Sequence, residues 1–325
     1  MTTRGLGTRP FRHGLTDLGN GAYAWLQPDG GWGWSNAGLV TDGEVSLVVD
    51  TLFDVPLTGR MLAAMRRAEP AATRRFDWLV NTHANGDHCN GNALVNGAEI
   101  VASRACAEEM THEDPAMMAQ LLERAPQMGE LGGYFRHCFG AFDFASVTHR
   151  PLPTCTFDGV LDVSVGDKQV HLEQVGPAHT AGDVLAWVPS ERLIFTGDIL
   201  FIEGHPILWA GPVGNWIAAC DRILALNPEH VVPGHGPITD TRGVRAVRDY
   251  LIYVRDQARL RFDAGMSAAD AARDISLADY ESWGDAERIA VNVSVLYKEF
   301  SGDPSPNDMT ELFSLMAQLH RERRR

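Results

Sequence analysis

Four short apolar runs in this chain each break into a glycine-bearing loop that carries histidine or aspartate: "HANGDH" (83–88), "GPAHTAGD" (176–183), "FTGD" (195–198) and "PGHG" (233–236). A short apolar run bounded by turn residues reads as a buried strand. Loops at strand ends are where a rigid scaffold presents reactive groups. Segments of helical spacing, at 57–69 and in "NWIAACDRILALN", separate the runs. This alternation predicts an α/β fold whose layers share a mixed sheet core.

The strands can be placed one by one. "NAGLVTDGEVSLVVD" (36–50) reads as two strands about an Asp-Gly turn. "FDWLVNTH" is a buried strand delivering a loop, with a short helix expected near 88–95 and a strand in "AEIVAS" after it. "QVHLEQV", "VLAWVPS", "RLIFTGD" and "HVVPGHG" complete the set. Two stretches stand outside the rhythm. Residues 104–148, rich in Met, Phe and Glu, read as a helical insertion, and 241–325 as several helices. The expected organisation is one domain over 1–240 that includes the insertion, with 241–325 packed on it as a helical extension. That extension covers the sandwich, shapes a pocket or forms a contact between copies of the chain.

Composition narrows the function. With 42 acidic against 28 basic residues the net charge is −14, which argues against nucleic acid as a partner. No stretch approaches the roughly 18 apolar residues of a membrane span, and the N-terminus lacks the apolar core of a secretory signal. A cytoplasmic protein is expected. The cysteines at 89, 106, 138, 155 and 220 are scattered and odd in number, which suits a reducing compartment rather than a disulfide framework.

The loop chemistry points to metal. His83, Asp87 and His88 have the spacing of a metal site, with Asn85 where a third histidine would complete the pattern. Histidine and carboxylate together suit zinc, iron or manganese. The four loops, in this order and at these separations, resemble the metallo-β-lactamase superfamily, whose hallmark is HxHxDH followed by a later His, a later Asp and a last His. The resemblance covers about residues 30–240 and implies a four-layer αββα sandwich with the site along one edge. By that resemblance His83 and His179 would bind a first divalent metal. Asp87, His88 and His235 would bind a second, and Asp198 would bridge both. Asp50, ending "SLVVD", would brace the loop from behind.

Asn85 is the departure. An amide oxygen is a poorer ligand for a transition metal than imidazole nitrogen, so the first site is expected to be weak. Asn85 would contact either the metal or its water. Trp32, Trp34, His205 and Trp209 are candidates for a substrate pocket, with edge packing an equal reading for the tryptophans of "PDGGWGWSN" and an ordinary loop position an equal reading for His205.

The resemblance implies hydrolysis of an ester, lactone, thioester or amide by metal-activated water, with Asp87 orienting the water and shuttling a proton. The apolar insertion and the Trp loop favour a bulky acyl or aromatic substrate. "NTHANGDHCNGN" with "FTGDILF…PILWAGPVGNW" also looks like a subgroup that includes aromatic polyketide cyclases and thioesterases, which would bring in an acyl carrier protein. The competing class is a mononuclear iron dioxygenase built on His83, His179 and Asp198.

Overall fold

The computed structural model describes residues 3–112 and 114–324. The first sheet has seven strands in chain order: β1 (Gly14–Gly19), β2 (Ala22–Leu26), β3 (Ala37–Asp42), β4 (Val45–Val49), β5 (Trp78–Val80), β6 (Glu99–Ser103) and β7 (Cys155–Phe157). Strands β1 to β4 form an antiparallel meander, and β4 to β7 pair in parallel. The second sheet contains β8 (Val160–Val165), β9 (Lys168–Gln174), β10 (Val184–Val188), β11 (Leu193–Phe195) and β12 (His230–Val232), in the order β12-β11-β10-β9-β8. Only β11 and β12 pair in parallel there.

Strand alternation divides the core. Val40, Leu47, Val49, Val80 and Val101 of the first sheet pack with Val170, Leu172, Val184, Ala186 and Phe195 of the second. Their neighbours Leu39, Val48, Leu79 and Ile100 point the other way, into a cluster with Leu57, Met61, Leu62 and Met65 of helix α1 (Val55–Ala68). The period of two along each strand makes both faces apolar, so each sheet is covered on its outer side and the layers run αββα. Gly38 marks how closely the sheets approach: a Cβ there would lie 2.2 Å from the Phe195 ring.

The loop after β5 opens into the single turn α2 (Gly86–Cys89), followed by a 3-10 turn at Asn92–Leu94. The insertion holds α3 (Arg104–Met110), α4 (Pro115–Arg124) and α5 (Gly129–Phe139). Helix α6 (Val213–Leu226) covers the second sheet. Beyond it come α7 (Thr241–Asp263), α8 (Ala268–Asp274), α9 (Ile289–Ser301) and α10 (Met309–Arg323). Helix α10 meets the insertion directly, with Phe313 stacked on Phe135 at 4.9 Å. Among the described residues no helix is long and apolar enough to cross a membrane.

Candidate metal centre

Three loops and a bend carry the candidate ligands to one sheet edge. Asp50 follows β4 in a left-handed conformation, φ 62°, and its buried carboxylate accepts hydrogen bonds from the Thr82 amide (2.7 Å), the Thr82 hydroxyl (2.7 Å) and His88 Nδ1 (2.8 Å). Because the Thr82 hydroxyl gives its proton to Asp50, it is an acceptor for His83 Nδ1–H at 3.0 Å. His179 Nδ1 donates to the Ile207 carbonyl at 2.7 Å. Each of these bonds fixes a tautomer in which Nε2 carries the lone pair.

Those nitrogens turn toward Asp198 and Asp87. His88 Nε2 lies 3.1 Å from Asp198 Oδ1, and His83, His179 and His235 Nε2 lie 3.8, 3.4 and 3.4 Å from Asp198 Oδ2. His235 Nε2 is also 3.3 Å from Asp87 Oδ2. The ligand atoms gather in two overlapping groups, His83–His88–Asp198 and Asp87–His88–His235, each within 4.8 Å. The six residues named from the sequence are thus brought together. His179 belongs to neither group; its Nε2 lies 2.9 Å from Asn85 Oδ1. A neutral His179 with Nδ1–H given to Ile207 can only accept there, so a hydrogen bond between the two requires the Asn85 amide to turn over and present its nitrogen.

The donor set fits a divalent cation. Among the described residues, nothing hydrogen-bonds to His83 Nε2, His88 Nε2 or Asp198 Oδ1, all of them buried. With His88 neutral, two electron-pair donors 3.1 Å apart face each other, an arrangement that needs positive charge between or beside them. In the metal-free protein that charge is a proton. Burial opposes it, yet Asp198, Asp87 and Asp50 hold the His88 pKa well above its ordinary value. His235 behaves alike: burial pushes it down, but Asp198 and Asp87 lift it to about 9. Burial also works against Asp198, which His235, His88 and His83 keep well below the usual carboxylate range. Burial lowers His179 to about 4.

The pocket candidates divide. His205 is fully buried in the C-terminal core, its ring 5.1 Å from Tyr250 and 5.9 Å from Trp283. Burial drives its pKa down to about 3, and the expectation that it reaches substrate is corrected: the chain carries it behind the site. Trp32 is likewise packed, edge-on to Phe139 at 5.7 Å and under the Arg288 guanidinium at 4.5 Å, so it plugs the sandwich and does not wall a pocket. Trp34 and Trp209 stay half-buried, against Phe142 and Phe313 respectively. The Trp209 amide donates to the His179 carbonyl at 3.1 Å. Thr82 and Phe201 escaped the sequence reading. The pair "TH" was a signal for the first; nothing local marks the second.

A four-layer sandwich that gathers four histidines and two aspartates at its edge defines a metal-binding α/β protein. The pattern of the metallo-beta-lactamase superfamily matches residues 30–235, and this chain belongs to that superfamily. It is 32% identical over 217 residues to the Beta-lactamase-like protein 2 homolog of Caenorhabditis elegans, covering 67% of this chain and 60% of that one. It is 22% identical over 267 residues to a Linear primary-alkylsulfatase of Pseudomonas sp., covering 74% and 49%. The chain thus spans about half the length of the curated relatives it matches. Among solved structures, the sec-alkylsulfatase Pisa1 from Pseudomonas sp. superposes with a TM-score of 0.65 at 13% identity, covering 91% of this chain and 52% of that one. That likeness of fold reaches well beyond residues 30–235.

Proposed function

We propose that this chain is a metal-dependent hydrolase that cleaves an ester-type bond in a bulky acyl, alkyl or aromatic substrate. The observation that carries the reading is the buried trio of His83 Nε2, His88 Nε2 and Asp198 Oδ1, without hydrogen-bond partners among the described residues and held in place by Asp50 and Thr82. Asp87, His88, His235 and Asp198 would hold one divalent ion, zinc in first place and manganese or iron after it. His83 and His179 with Asp198 would hold a second, weakened by Asn85. An ion there supplies Lewis acidity, which ionises a water nucleophile near neutrality and polarises the acyl or sulfate oxygen.

The chain's own groups do the rest. Asp87, 8% exposed, sits at the open side of the cluster with His235, where its carboxylate accepts the proton of the attacking water and returns it to the leaving oxygen or sulfur. Trp34 and Trp209 offer apolar faces beside the loops that carry the ligands. The alkylsulfatase likeness adds sulfate esters to carboxylic esters, lactones and thioesters as bonds to assay. The polyketide cyclase or thioesterase reading rests on the two sequence segments alone, and in it an acyl carrier protein delivers a thioester. The iron dioxygenase reading is disfavoured because the Asp87–His88–His235 group, for which a mononuclear site has no use, is complete.

The test is a panel of aryl carboxylic esters, acyl thioesters, lactones and alkyl sulfates, assayed before and after chelation and again after metal is restored. Turnover of at least one class that disappears and returns with metal is expected. Oxygen uptake by an iron-loaded protein that hydrolyses none of them would sink the proposal.

A further inference from the structure

Three of the four clustered histidines have their second ring nitrogen held by a hydrogen bond, to Asp50, Thr82 or Ile207. His235 does not. Its Nδ1 is buried with no hydrogen-bond partner among the described residues. The ring instead lies parallel to Phe201, 5.0 Å away and 1° from coplanar orientation. Phe201 is itself 1% exposed, and the Arg288 guanidinium stands 5.2 Å over its ring and 4.5 Å over Trp32. Arg288, 2% exposed, is fixed by a hydrogen bond to the His205 carbonyl (2.9 Å) and an ion pair with Asp285 (3.2 Å).

We infer that Phe201 and Arg288 are positioning residues for His235, doing by ring stacking and cation–π attraction what Asp50 does for His88 by a hydrogen bond. Arg288 lies in the turn before α9, outside the segment that matches the superfamily. The C-terminal extension therefore reaches the metal centre through one buried cation. A guanidinium over a ring face, out of water, is favourable and directional. It restrains the Phe201 plane, and the stacked Phe201 ring restrains the imidazole. The backbone already ties the two strands, with the Ile202 amide on the His235 carbonyl at 2.9 Å, so the side-chain stack acts on ring orientation and not on chain position. This inference rests on the metal-binding reading of the cluster.

The test uses full-length protein stripped of metal and titrated with zinc against a chromophoric chelator. Arg288→Met removes the cation at similar volume, Arg288→Lys keeps a cation, and Phe201→Leu removes the ring. Loss of an outer contact that orients a ligand weakens metal affinity by roughly 10- to 100-fold. That loss is expected for Arg288→Met and Phe201→Leu, with recovery of most of it in Arg288→Lys. Cobalt-loaded Phe201→Leu should show a shifted visible spectrum, which a loss of packing alone does not produce. Wild-type zinc affinity and an unchanged cobalt spectrum in Phe201→Leu would overturn the inference, even if Arg288→Met fails to fold. Wild-type protein that takes up no zinc would overturn the metal reading, and this inference with it.

Discussion

Asp50→Asn is the sharpest single change in the centre. In the native site Asp50 Oδ1 accepts from the Thr82 amide, while Oδ2 accepts from both the Thr82 hydroxyl and His88 Nδ1. Asparagine can keep the first bond with its one oxygen, which turns its NH2 toward the Thr82 hydroxyl and His88. The hydroxyl can rotate to accept. His88 Nδ1–H cannot, and the imidazole relieves the donor–donor contact by moving its proton to Nε2, the atom 3.1 Å from Asp198. A protonated Nε2 is no ligand. The bond lost is one to an ionised carboxylate, worth roughly 1.5–3 kcal/mol, which is about 10- to 150-fold in metal affinity. Zinc titration of the stripped variant against a competing chelator measures it directly, and the thermal midpoint of the metal-free protein should also fall, because there Asp50 helps to hold the buried His88 charged. Wild-type affinity in Asp50→Asn would refute the tautomer argument.

Other outcomes follow from the same geometry. Asn85→His should raise metal bound per chain, read by elemental analysis, because imidazole restores a strong donor. Trp32→Ala should cost about 3–5 kcal/mol of stability as a core truncation, whereas Trp209→Ala should change KM for a bulky ester with a far smaller shift in Tm. Burial raises the Asp183 pKa to about 7, opposed by its bonds from Thr180. The folded protein then keeps a proton there that the unfolded chain gives up near pH 4. The group's contribution to stability is therefore full below pH 4 and falls by about 1.4 kcal/mol per pH unit until pH 7. Denaturant titrations of metal-free protein at pH 5 and pH 7.5 should show a smaller loss for Asp183→Asn than for wild type.

The sequence disclosed most of what local pattern controls. Apolar runs ending in polar loops placed β3 to β6 and β9 to β12, and the spacing of His83, Asp87 and His88 pointed to a metal site, to which the superfamily resemblance added His179, Asp198 and His235. The first hairpin was passed over although Asn20-Gly21 is a turn signal and both residues take positive φ, 49° and 72°. Strand β1 lies at an edge with no fully buried residue, so it lacks the apolar run that marks the others. Residue type alone left Trp32 and His205 between pocket and packing, because whether an aromatic or imidazole lines a cavity depends on which distant helix covers it. Here Tyr134, Phe139 and Phe313 enclose the first, and Tyr250 and Trp283 the second. Arg288 was invisible for the same reason: it approaches Phe201 only once the C-terminal helices fold back over the sandwich.

The measurement that bears most directly on the metal centre is ester hydrolysis followed during zinc titration of stripped protein, for wild type and His88→Ala side by side. The expected result is activity that rises in step with zinc bound to wild type, while His88→Ala binds little zinc and stays inactive. Hydrolysis by the stripped wild type at its full rate, or equal zinc uptake and activity in His88→Ala, would contradict it.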